Sequence, residues 1–431
     1  MTAEAEASLH LPYGSGVQHA EVPRHWKLRT LRTVPREEGR SERSVVMDTL
    51  AAPIGAKTLQ ETVRPDERIL IIVPDKTRRC RLDFFLPILL DVLGECGVPD
   101  TAITILFATG THAPQSPAER AMLLGDDIVA RYRVCEHDAR DQAAHVHVGT
   151  TTAGTDIRLN RLVRDADRVI AAGTIVHHYF AGFGGGAKLF VPGVAAYETA
   201  VANHRRTITS DGEFHPDCAD GVIEGNPVIS DILDAVPFLP PTWYFAALLD
   251  VNGKITDGVC GDLLAAHAEG CRRVDAQYRV DVDRPADVVV VSTGGYPKDI
   301  NFIQAHKSLH HAAYIARTGG SIVFLAECRE GLGNDTFLPW FDIPAGRALL
   351  EALQNDYRMN AHTALTMREK AARFRIHMVS ALPDDVVRRL GMQPQANLRD
   401  ALDAVAGEQP EGSALVLENG SLIVPRLAGW R

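Results

Sequence analysis

Six short runs of aliphatic and β-branched residues punctuate the chain, at 68–73, 103–108, 168–172, 288–292, 321–325 and 376–379. Each is followed by a Gly- or Pro-bearing loop and then by a segment of helical periodicity. Continuous apolar runs of this length, alternating with helices, suit parallel strands covered on both faces. After the first run, LDFFLPILLDVLG (82–94) reads as an amphipathic helix ending near Gly97, and Ser116 followed by Glu119 forms a capping box for the next helix. The pattern predicts an α/β protein with mostly parallel, doubly wound sheets. In such sheets ligands sit beyond the carboxyl ends of the strands.

A domain boundary falls near 270–285, where a long helical stretch (262–280) gives way to the charged, Pro-bearing DVDRPAD (281–287). The expected domains are 1–275, which binds a cofactor, and 276–409, which contributes substrate-binding residues. The polar, Arg/Glu-rich first 45 residues are expected to wrap the first domain, and 410–431 to pack back on it. An active-site cleft between the domains is the expected place for a small molecule.

Composition narrows the function classes. With 431 residues, 45% hydrophobic and 23% charged, the chain matches an ordinary globular protein rather than a disordered or fibrous one. Its 45 Lys+Arg against 55 Asp+Glu leave a net charge of −10, which argues against nucleic acid as a partner. Seven dispersed cysteines with no CxxC pair read as reduced thiols. The N-terminus lacks the look of a signal peptide, and the most apolar stretch, 82–93, contains charges and Pro; a cytoplasmic protein without membrane contact is expected. Seventeen histidines are the one compositional hint of proton or metal chemistry.

Four loops carry candidate chemistry. VPDKTRR (73–79) places Asp75, Thr77 and Arg78 just past a strand. Arginine offers a fixed fork of donors for a carboxylate or phosphate, and aspartate can orient a histidine. A surface turn with a local ion pair is the plainer alternative. ATGTH (108–112) puts His112 at the end of the next strand, where a structural histidine is the commoner case.

The third segment runs from Val176 through His177, His178 and a glycine cluster to Lys188, then to Pro192-Gly193. Gly182, Gly184, Gly185 and Gly186 supply backbone freedom and N–H groups able to cradle an anion. The phosphate-binding P-loop pattern fails, since Ala187 precedes Lys188 and Leu189 follows it; GxGxxG fails at Ala187 as well. A structural turn would not need a lysine beside four glycines, with His178 before and Asn203-His204 after. In the fourth segment (294–307), Gln304 and Lys307 share one face near a helix start, where the dipole favours an anion. HExxH, GxSxG and EF-hand patterns are all absent.

Taken in order, LPYG (11–14), PIG (53–55), PDKTR, ATGTH, HHYFAGFGGGAK, PG, NH (203–204) and GGYPKDINFIQAHK resemble the nickel-dependent lactate racemase family and its 2-hydroxyacid racemase and epimerase relatives. The resemblance fades beyond about residue 340, and its HxFAGFxGGxK block is highly specific. It implies a two-domain α/β isomerase holding a nickel-pincer nucleotide of the pyridinium-3,5-bisthiocarboxylic acid mononucleotide type. Carried over by position, Lys188 is the covalent anchor of the cofactor and His204 the protein ligand of nickel. His112 and His178 are the acid–base pair. Asp75, Thr77, Arg78, Gly184, Gly185 and Gly186 contact the cofactor or support the first histidine. Arg78, Gln304 and Lys307 hold the substrate. Implied partners are a small 2-hydroxy acid and the proteins that synthesise the cofactor.

Three positions depart from the family. Ile303 stands where a tyrosine is expected, His362 near an aromatic position, and Gly184-Gly185 where Ser-Gly is frequent. Together with Lys298 and His306 near the clamp, these favour a larger or more acidic acid than lactate. The alternatives are a C2 epimerase of a sugar acid with the same cofactor and a non-catalytic cofactor-binding protein. His177 is expected to be a core residue rather than a support for His178.

Overall fold

The structure, a computed structural model, describes residues 8–33, 39–78 and 80–429. Residues 1–7, which enter the reading of the N-terminus, lie outside the described residues. The described chain divides into two compact units, one of 39–207 and 216–276, the other of 8–33, 208–215 and 277–429.

The first unit is built on a six-stranded sheet in the order Ile255–Asp262, Thr242–Leu249, Arg168–Thr174, Ile69–Pro74, Ile103–Ala108, Arg133–Glu136. All neighbours are parallel except the first two, which are antiparallel. Every residue of Ile69–Pro74 is buried. That follows from a central strand with helices on both faces, and it explains an apolar run without alternation. Helix Leu82–Glu95 covers one face, with Phe85 tilted against Phe245 at 4.8 Å between ring centroids. The capping box is formed: the Ser116 hydroxyl accepts from the Glu119 N–H and the Glu119 carboxylate accepts from the Ser116 N–H.

The second unit holds an all-parallel sheet in the order Gln393–Gln395, Arg375–Val379, Ala316–Leu325, Ala286–Ser292, Gly412–Leu417, Trp26–Thr30. Two expectations are corrected here. Residues 8–33, expected to wrap the first domain, and 410–429, expected to pack back on it, both belong to the second unit. Trp26–Thr30 is instead the edge strand of the second sheet and Gly412–Leu417 its neighbour, paired in parallel from Trp26↔Gly412 to Thr30↔Val416. An edge strand keeps one side wet, so only Trp26 is fully buried within WKLRT and the segment reads as polar. The Trp26 indole N–H donates to the Gln409 carbonyl at 3.0 Å, tying the two termini of the unit together. The chain passes from the first unit to the second between Ala276 and Gln277. No described helix is long and apolar enough to cross a membrane.

Candidate active site

Three neighbouring strands of the first unit, Arg168–Thr174, Ile69–Pro74 and Ile103–Ala108, end in the loops that carry His178, Asp75 and His112. Parallel strands deliver their carboxyl ends to one edge of the sheet, so sequence-distant loops become neighbours. Asp75 Oδ2 lies 2.6 Å from His112 Nδ1. Its other oxygen accepts from the Thr77 N–H at 3.1 Å and the Thr77 hydroxyl at 2.6 Å. Arg78 Nη1 donates in turn to Thr77 Oγ1 at 3.2 Å. Burial alone would raise the Asp75 carboxyl. The adjacent His112, the Arg78 charge and the Thr77 bond overcome it and hold the group at about 2. The carboxylate is thus ionised and fully engaged, while the His112 side chain remains 40% exposed.

The loop bearing His112 is held by two further ties. Gly110, at φ +55, donates its N–H to the Gly193 carbonyl at 2.9 Å, which joins ATGTH to the Pro192-Gly193 turn. A Cβ at Gly193 would sit 2.2 Å from the Leu189 carbonyl oxygen, so only glycine fits there. Lys76 bonds Glu119 at 2.6 Å, which fixes the capped helix beyond ATGTH to the PDKT turn.

His177 and His178 form a two-residue ladder with Gly182–Phe183. Successive strand residues point to opposite sides. His177 turns to Asp275, with Nε2 to Oδ1 at 3.0 Å, and its ring leans on Phe183 at 4.8 Å. Its side chain is only 2% exposed, so it is a core residue and an anchor of the ladder together. His178, buried, meets the Phe180 ring edge-on at 4.4 Å and stacks on Tyr179 at 5.6 Å.

Phe180 is the meeting point. The His204 ring lies 4.9 Å from it, and Lys188 Nζ lies 5.1 Å from its centroid. Residues 178, 188 and 204 therefore surround one aromatic ring. Burial and then the Arg78 charge push the Lys188 ammonium down to about 7. That leaves a large share of neutral, nucleophilic amine near neutral pH.

The glycines act differently from expectation. Gly184 donates its N–H to the Val176 carbonyl at 2.8 Å, and Gly186 donates to the Tyr244 hydroxyl at 3.1 Å. Those two amides are spent inside the protein rather than offered to an anion. Gly185, at φ +79, would carry a Cβ 2.5 Å from the Thr174 carbonyl oxygen, and Gly186, at φ +56, one 2.6 Å from the His267 ring. The cluster lets the backbone press against Tyr244 and His267, which presents Lys188 from a rigid 3₁₀ turn at Gly186–Leu189. Of the three glycines, only Gly185 is partly exposed.

Three supporting residues carried no sequence signal. Tyr244 lies on the strand Thr242–Leu249, an apolar run that periodicity cannot separate from a buried helix. His267 Nε2 donates to the Gly184 carbonyl at 3.1 Å. Asp231, fully buried, accepts from the side chains of Asn203, Thr151 and Thr155 at 2.9, 2.6 and 3.0 Å. It thereby braces helix Tyr197–Arg205, on which His204 stands.

Gln304 and Lys307 belong to the second unit. Asn301 caps helix Phe302–Ile315, its side chain accepting from the Gln304 N–H at 3.0 Å. Lys307 Nζ donates to Gln304 Oε1 at 2.7 Å, as expected of residues three apart. Ile303 packs on the core of this unit, and His362 Nδ1 is 2.7 Å from the Tyr357 hydroxyl. Among the described residues no three His, Cys, Asp or Glu side chains converge as a metal-binding group.

Comparison with known proteins places this geometry in a lineage. The chain matches the lactate racemase N-terminal domain over residues 13–215 and the lactate racemase C-terminal domain over 282–424. It is 32% identical to a lactate racemase of Lactiplantibacillus plantarum over 390 residues, 88% of this chain and 90% of that one. It is also 32% identical to a lactate racemase of Thermoanaerobacterium thermosaccharolyticum over 337 residues, 78% of each. The solved lactate racemase apoprotein from the latter organism superposes with a TM-score of 0.87 at 27% identity, covering 97% of this chain and 100% of that one. A Thermotoga maritima crystal structure at 17% identity and a TM-score of 0.65, covering 90% and 98%, shares the fold. With both domains matched in order and nearly the whole fold shared, the chain belongs to the lactate racemase family.

Proposed function

We propose that the protein is an isomerase that inverts C2 of a 2-hydroxy acid with the help of a nickel-pincer nucleotide. The observation that carries this reading is the grouping of Lys188, His178 and His204 around Phe180, in the unit that also holds the Asp75–His112 pair.

The residues fit such a cofactor in kind. A lysine held at about 7 can be acylated near neutral pH, and Arg78 and Thr77 offer donors for a phosphate. His204 would supply one imidazole to nickel. The chemistry such a nucleotide supplies when bound is reversible acceptance of hydride from C2.

The protein's own part is proton transfer and positioning. One histidine takes the substrate hydroxyl proton as the centre becomes a planar 2-keto acid, and the other returns a proton when the opposite face is reduced. Inversion needs an acid–base group on each side of that plane, which is the use for both His112 and His178. Asp75 holds His112 by Nδ1 and directs Nε2 outward. The Gln304–Lys307 pair fixes the carboxylate while the centre inverts. A cofactor-storage protein would need neither the dyad nor the clamp. Ile303 removes a hydroxyl, and lactate is not the preferred substrate in this reading.

The test is intact mass and metal analysis of protein matured together with the cofactor-synthesis proteins. A covalent adduct that maps to Lys188 and about one nickel per chain are expected, and Lys188→Ala should lose the adduct. Fully matured wild type with neither adduct nor nickel overturns the reading.

A further inference from the structure

The chain leaves the first unit after Thr207, spends Ile208–His215 in the second, and returns at Pro216. This excursion is a turn closed on itself. The Thr209 N–H donates to the Glu213 carbonyl at 2.9 Å, and Ile208 and Phe214 form an antiparallel bridge around that pair. Both Ile208 and Phe214 pack on the hydrophobic core of the second unit. The Gln354 side-chain amide, on helix Arg347–Asn355, donates to the Ser210 carbonyl at 3.0 Å. Gly212, at φ +80, lies so close to that helix that a Cβ would fall 2.5 Å from Leu350 Cδ1. A turn this short has no core of its own, so these contacts are what hold it in one place.

Both ends of the excursion run to the group around Phe180. Only Arg205, Arg206 and Thr207 separate His204 from Ile208. Thr207 is fully buried and donates to the His204 carbonyl from its N–H at 3.1 Å and from its hydroxyl at 2.6 Å. Four residues span at most about 14 Å when extended, and these bonds shorten the path further. The link has no slack. On the return side, the Gly221 N–H donates to the Gly182 carbonyl at 2.9 Å, and Gly182 is the ladder partner of His178. The Asn226 side chain donates to the Phe180 carbonyl, also at 2.9 Å.

We propose that Ile208–His215 is a strap through which the second unit positions His204, with Phe214 and Gln354 as the positioning residues that seat it. This inference rests on the reading that His204 ligates nickel. A histidine ligand must be held at a fixed distance and ring angle, and residues that orient a metal ligand typically set affinity by about 10–100-fold. Unseating the strap loosens the last turn of helix Tyr197–Arg205, on which His204 stands. It leaves the bond to Lys188 untouched.

The test compares wild type with Phe214→Ala and Gln354→Ala in two measurements. One is hydrogen exchange of the full-length, cofactor-free protein, and the other is nickel release from matured protein into EDTA. Both variants are expected to speed exchange across 208–215 and, with it, across 203–207. Nickel release should become about tenfold faster at an unchanged Lys188 adduct, and Phe214→Leu should restore both readouts. Leu402→Ala, in a separate hydrophobic cluster of the second unit, should leave both at wild-type values while lowering the melting temperature. Faster exchange in 208–215 with 203–207 unchanged overturns the strap, and so does a turn that exchanges as in wild type in both variants. An effect of Leu402→Ala equal to that of Phe214→Ala reduces the strap to general stability and overturns it too. Matured wild type with neither nickel nor adduct sinks the reaction, while the exchange comparison still decides the strap.

Discussion

His112 and His178 are the same residue type on neighbouring loops of one sheet, yet they are held by opposite means. His112 is 40% exposed and gripped at Nδ1 by a buried carboxylate that is itself fixed by Thr77. His178 is buried beside Phe180 and Tyr179, and it is its neighbour His177 that meets an aspartate, Asp275. His112 meets a charged partner, whereas His178 packs among aromatic rings on a backbone ladder. In the proposed reaction, a pair acting from two sides would need no symmetric support. Each loop uses what its strand end offers.

Replacing either histidine is the hardest blow to this pair. His112→Ala and His178→Ala should each lower racemisation by about 10²–10⁴-fold, while the Lys188 adduct and nickel content stay near wild type. Loss of nickel in step with activity would show that the histidines hold the cofactor rather than move protons.

The supports should then separate the two. Asp75→Asn is expected to cost about 10–100-fold in kcat, because it removes both the orientation and the charge beside His112. Asp275→Asn should cost only a few-fold, since the ladder of His177–His178 with Gly182–Phe183 persists. Equal losses would erase the contrast. Asp75 also predicts a pH signature. Its carboxyl is depressed in the folded chain to about 2, so its stabilising contribution is complete above the unfolded value of about 3.9 and vanishes as pH falls through 2. Thermal unfolding of Asp75→Asn between pH 5 and 2 should accordingly be flatter than that of wild type.

The smallest expected effects lie in the glycine loop between the two. Gly186→Ala, at φ +56 and with a Cβ 2.6 Å from His267, should lower stability by about 1–3 kcal/mol. Gly184→Ala has its nearest neighbour at 3.6 Å and ordinary backbone, so its change should stay within about 0.5 kcal/mol. Chemical denaturation of the two variants checks both figures.

Much of this organisation was legible along the chain. The runs at 68–73 and 103–108 correspond to Ile69–Pro74 and Ile103–Ala108, because a central parallel strand buries every residue and prints that burial as an apolar run. Trp26–Thr30 was not legible, because an edge strand buries one side only and looks like any polar segment. Gly186 and Lys188 stood out by type and spacing, but the purpose of the glycines did not. Tyr244 and His267, against which they press, come from 58 and 83 residues further on.

What the sequence by itself determined is the kind of fold and the inventory of chemistry: alternating buried strands and helices, and loops bearing Asp75, His112, His178, Lys188 and His204. These follow from local periodicity and from residue types that few other roles require. The tertiary structure alone decided which partners each group meets: Asp75 for His112, Asp275 for His177, Phe180 for three side chains, and Lys370 for His310. Hydrogen bonds and desolvation act over a few ångströms, whereas these partners are up to about a hundred residues apart in the chain. Only folding brings them within reach of one another.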